Sequence, residues 1–132
     1  MDHPEIKLLE DLTLHRFFGL QNLQIGKGTA SFEMVVSENT INIFGKLHGG
    51  VFYGLCDLAA YMALLSELKE AETAVTQDIH LTIMRPGKMG DRVLFTGELV
   101  QMGKNIIFTD GKAWVNGKLM ASAHVTKSIV SK

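Results

Sequence analysis

Between residues 51 and 65 the chain is apolar at nearly every position, reading VFYGLCDLAAYMALL, with Gly54, Ala59, Ala60 and Ala63 scattered among larger hydrophobic side chains. No polar face survives at a period of 3.6 residues, so the pattern predicts a long helix buried on all sides, by a sheet that curls round it or by a second subunit. The run is shorter than the roughly 20 residues that cross a membrane. Elsewhere the pattern is different. Near the start, Pro4 and Glu5 open a short helix whose Ile6, Leu8, Leu9, Leu12 and Phe17 form a rough apolar stripe. Residues 20–25 and 29–36 read as two strands around a Gly26-Lys27-Gly28 turn, and Ala30, Phe32, Met34 and Val36 of the second face one way. After the helix, residues 69–73 form a charged connection, and four more strands follow. Residues 74–84 are closed by Arg85-Pro86-Gly87 and residues 92–101 by Gly103; residues 106–115 and 118–130 flank Asn116-Gly117, a strong hairpin signal. Helix, two strands, buried helix and a four-strand meander make an α+β arrangement, with one curled antiparallel sheet wrapped around a long central helix.

Composition narrows the field. The 132 residues are 46% hydrophobic with a formal net charge of −1, which suits a single domain over residues 1–132 and leaves no electrostatic footprint for nucleic acid. Cys56 is the one cysteine, so no intrachain disulfide and no multi-cysteine zinc site can form. The five histidines lack metal-ligand spacing, and His80 and His124, on strands among apolar neighbours, read as structural, with His80 close enough to Thr76 to line a pocket. The N-terminal MDHPEIKLLEDL is acidic and lacks the layout of a secretory signal; a cytoplasmic location without membrane attachment is the expectation.

The candidate chemistry lies in the central run. Asp57 is its one charge, and burying a carboxylate without partners is expensive, so a task is implied. His48-Gly49-Gly50 precedes the helix, where backbone N–H groups are free and the macrodipole is positive. Such an end can receive a carbonyl oxygen that becomes negative. A tight loop-to-helix junction is the plainer reading of the glycines. Cys56 reads as a buried structural residue rather than a nucleophile, because a reactive thiolate needs a basic, partly exposed setting.

Asn42, Gly45, His48-Gly49-Gly50, Asp57, Thr76 and Arg85-Pro86-Gly87 together resemble the hotdog-fold thioesterases of the phenylacetate-pathway (PaaI-like) type, over residues of about 20–127. The resemblance implies hydrolysis of acyl- or aryl-coenzyme A thioesters, no metal or redox cofactor, and assembly as homodimers that often pair into tetramers. It also implies that the Gly50 N–H, alone or with that of Val51, polarises the thioester carbonyl. Asp57 would be a general base or a nucleophile, Thr76 would hold the water, and Asn42 and His48 would orient the carbonyl or its loop. Arg85, Lys88 and Lys104, at strand ends beside glycines, are candidates for coenzyme A phosphates. A hydratase or dehydratase of the same fold, and a non-catalytic acyl-coenzyme A binder, are the alternatives.

Overall fold

The computed structural model describes residues 3–132. In place of one N-terminal helix there are two, α1 (Glu5–Asp11) and α2 (Thr13–Phe18), separated by extended Leu12. The break lets the buried His15 turn its Nδ1 to the Leu9 carbonyl at 2.7 Å, giving the α1 end a partner. Leu9 is buried and Ile6 packs on the core, whereas Leu8, Leu12 and Phe17 of the expected stripe are exposed. Then come β1 (Gln21–Gly26), β2 (Thr29–Val35), α3 (Gly49–Leu64), β3 (Glu72–Ile83), β4 (Arg92–Met102), β5 (Ile106–Val115) and β6 (Lys118–Ser131).

All six strands form one antiparallel sheet in the order β1-β2-β4-β5-β6-β3. The four-strand meander is therefore corrected. Only β4, β5 and β6 follow one another in space, while β3 lies beyond β6 and the 84–91 connection returns the chain to β4 beside β2. This hotdog arrangement follows from the helix: α3 leaves β2 and must lie across the sheet, which delivers the chain to the far edge.

A row of small residues explains how close the helix lies. Ala30, Gly97, Gly111 and Ala123 sit opposite one another in register across β2, β4, β5 and β6, all on the core-facing side. A Cβ on Gly97 would lie 1.9 Å from the Ala59 carbonyl oxygen, and one on Gly111 would lie 2.2 Å from that of Cys56. Sheet backbone and helix backbone are thus in direct contact on both sides of Asp57. Around this trough Phe32 stacks on Phe95 at 5.2 Å, and Met34, Val36, Phe52 and Leu55 fill the core.

Candidate active site

The helix is not enclosed on every side. Val51, Phe52, Leu55, Cys56, Ala59, Ala60 and residues 62–64 are buried. Gly50, Tyr53, Gly54, Asp57, Leu58 and Tyr61, recurring at intervals of three and four, form a stripe that the sheet leaves uncovered. Asp57 stands in that stripe, so its carboxylate meets open surface at one end and protein at the other.

The protein end is made by β3 and β6. Thr76 and Lys127 are cross-strand partners, and the register slips between Thr76 and Asp78, where Gln77 is the extra residue of a bulge. The Lys127 ammonium donates to Thr76 Oγ1 at 2.8 Å and to Asp57 Oδ1 at 2.9 Å, and the Thr76 hydroxyl donates to the same Oδ1 at 2.7 Å. Oδ2 has no protein partner among the described residues. The side chain of Lys127 is only 2% exposed and that of Asp57 36%, so the cation is the buried member and the carboxylate faces outward. Sequence reasoning missed Lys127. A signal was present, because Ala121, Ala123 and Val125 set an alternating core phase that Lys127 continues.

The helix start lies elsewhere. His48 caps α3, its Nδ1 accepting from the Gly50 N–H at 2.8 Å, while its carbonyl accepts from Val51. The N–H expected to meet a carbonyl is therefore engaged by His48. The helix begins at Gly49 rather than after the glycines, and the Gly49 N–H is the one in its first turn without a partner among the described residues. Asn42 folds its own loop: its Oδ1 accepts from the N–H groups of Phe44 and Lys46 at 2.9 and 3.1 Å, with Gly45 at a φ of 75° in the left-handed region. Asn42 and Gly49 share a cavity of about 310 Å³ with Phe52, Ile83 and Arg85. Asp57 is eight residues beyond Gly49, so at 1.5 Å per residue the two lie about 12 Å apart along the axis.

Of the candidate phosphate contacts, Arg85 and Lys88 line one cavity of about 450 Å³, joined by Lys118, which the sequence reading overlooked although it follows the Asn116-Gly117 turn. Lys104 is not with them. It sits in the β4–β5 turn, at the other end of a strand spanning roughly 30 Å. Nor does His80 face the site: the Gln77 bulge reverses the phase, and His80 pairs with His124, which bonds Asp110 at 2.7 Å on the outer face. Cys56 is buried against the sheet, and burial, then the Asp57 charge, push its thiol up to about 12. It stays protonated and is no nucleophile. Among the described residues no group of three or more His, Cys, Asp or Glu is arranged to hold a metal, and no helix is long and apolar enough to cross a membrane.

A curled antiparallel sheet around a central helix defines a hotdog-fold protein, and this one carries a half-exposed carboxylate on that helix and, at its start, an amide without a partner among the described residues. The family model of the thioesterase superfamily matches residues 44–122, which include the helix, its cap and Thr76. The chain belongs to this superfamily. It is 36% identical over 104 residues to human acyl-coenzyme A thioesterase 13, covering 77% of this chain and 74% of the relative. A crystal structure of zebrafish thioesterase superfamily member 2 superimposes with a TM-score of 0.82 at 28% identity, over 94% of this chain and 92% of that one. A thioesterase from Haemophilus influenzae shares the fold with a TM-score of 0.88 at 24% identity, over 99% and 92% of the two chains.

Proposed function

We propose that this chain hydrolyses acyl-coenzyme A thioesters to a free acid and coenzyme A, with Asp57 as general base. The observation that carries the reading is a carboxylate on a thioesterase-superfamily helix that is held through Oδ1 alone, with Oδ2 unbonded among the described residues and the side chain 36% exposed. An oxygen so fixed can take a proton from water within hydrogen-bond reach. Thr76, whose hydroxyl donates to Asp57, then serves the base rather than the water. The Gly49 N–H and the Asn42 amide would polarise the carbonyl from their shared cavity, and His48 would hold the helix start that aims Gly49. Arg85, Lys88 and Lys118 would take the phosphates. The human relative's name supports the substrate class. A panel running from acetyl to long-chain and aryl thioesters, followed with a thiol-detecting reagent, should show turnover for at least one. Stoichiometric binding with no thiol release across the panel would favour the binder instead.

Asp57 is about 12 Å along the axis from Gly49, too far for one water to bridge within one chain. We infer that the site is shared by two copies, their α3 helices antiparallel across a two-fold axis and touching along the uncovered stripe. Gly50 and Gly54 lie in that stripe, and a Cβ on Gly54 would meet no atom within 4 Å, which leaves room for another helix. Asn42 and Gly49 of one copy then work with Asp57, Thr76 and Lys127 of the other. Mixing Asp57→Asn chains with Asn42→Ala chains should restore about a quarter of wild-type activity, since half the random dimers are mixed and each carries one intact site. Asp57→Asn mixed with Thr76→Ala should restore none. Subunit exchange without recovery in the first mixture would rule the shared site out.

A further inference from the structure

Lys127 presents a problem that core packing does not solve. It occupies the core-facing phase of β6 after Ala121, Ala123 and Val125, and only 2% of its side chain is exposed. Its ammonium is turned to three groups: Asp57 Oδ1, Thr76 Oγ1 and the ring of Tyr61, whose centroid is 5.8 Å away. As a stabilising device this is poor. Desolvating an ammonium costs more than one ion pair with a half-exposed carboxylate returns, and an apolar side chain of similar length would fill the space at least as well. What the lysine does supply is direction.

With Lys127 donating to Thr76 Oγ1, the hydroxyl proton is left to point at Asp57, and its acceptor is Oδ1. Both donors converge on that single oxygen. The two donors hold the carboxylate by Oδ1, and Oδ2 is the oxygen left without a protein partner among the described residues. Tyr61, which walls the ammonium, is itself tied by its hydroxyl to Glu5 Oε1 of α1 at 2.9 Å, so the lysine head has little freedom to drift. Without the ammonium, the Thr76 hydroxyl is free to turn and the carboxylate free to rotate, so Oδ2 is presented only part of the time.

We propose that Lys127 is a positioning residue that acts through Asp57, selecting which carboxylate oxygen reacts. This rests on the reading of Asp57 as the base for thioester hydrolysis. Lys127→Met should fold with an unlowered melting temperature and lose about 10²-fold in kcat, the scale of a misplaced catalytic group, with KM changed by less than about twofold. In an Asp57→Asn background the same change should cost less than about twofold more, because the group it serves is already absent. Lys127→Ala should regain activity with ethylammonium and not with tetramethylammonium, which has no N–H to donate.

Outcomes separate cleanly. Active Asp57→Asn overturns the base assignment and this inference with it. Inactive Asp57→Asn beside Lys127→Met with wild-type kcat overturns the positioning role alone. An equal loss from Lys127→Met in both backgrounds, absence of rescue, or a Lys127→Met chain that no longer folds would each make the lysine a structural strut and overturn the proposal.

Discussion

Asp57→Asn is expected to remove thioester hydrolysis while leaving the fold and substrate binding in place. The amide keeps an oxygen where Thr76 and Lys127 both converge, at 2.7 and 2.9 Å, so the side chain retains its seat. What disappears is the basic oxygen that has no protein partner among the described residues. Loss of a general base costs about 10²–10⁴ in rate. Thiol release measured beside equilibrium binding of a non-hydrolysable analogue makes the check, and turnover within about threefold of wild type would exclude Asp57 as the base. The substitution also leaves the Lys127 ammonium buried without a counter-charge, so a lowered melting temperature should accompany the lost activity.

A comparable loss, reached through packing, is expected from Gly97→Ala and Gly111→Ala. In each case the new methyl group meets helix backbone, 1.9 Å from the Ala59 oxygen or 2.2 Å from the Cys56 oxygen. A flexible side chain could swing aside, but here a helix or a strand must move. Overpacking typically costs about 1–3 kcal/mol and occasionally more, and contact with rigid backbone belongs at the upper end. Because the two glycines are register partners on β4 and β5, the double variant lifts α3 off the sheet along one line. Against a total stability of about 5–15 kcal/mol, a loss of about 3 kcal/mol from each single variant is roughly a fifth to three fifths of the whole, and the double variant should be close to unfolded. Urea unfolding monitored by Trp114 measures this; losses below about 0.5 kcal/mol would show that the helix does not rest on the glycine pair.

Residue pattern made the elements legible and left their adjacency hidden. Fifteen nearly continuous apolar positions announced the central helix, though not the stripe that the sheet leaves uncovered, and Asn116 and Gly117, with φ of 50° and 78°, form the turn their chemistry demands. Nothing in β3 distinguishes β4 from β6 as its neighbour; that follows from where α3 delivers the chain. Asp57 stood out because a charge contradicts its surroundings. Lys127 contradicts its surroundings too, but a lysine near a strand end reads as surface, and only strict counting from Ala121 reveals it. The exchange of Gly50 for Gly49 turns on a single histidine rotamer, since the N–H that His48 occupies is no longer open to a ligand.

The bulge in β3 has an evolutionary consequence. Thr76 lies three residues before the inward-facing Ile79, although alternation would allow two, and Gln77 absorbs the difference. The strand therefore carries one residue of slack in a defined place. Shortening the chain at Gln77 leaves Thr76 against Lys127 and Ile79 against Val125, whereas shortening it between Ile79 and Ile83 exchanges core for solvent along the rest of the strand. Descendants of this chain can thus differ in length at that point and keep their chemistry, so that a gap in an alignment there would record drift rather than a change of trade.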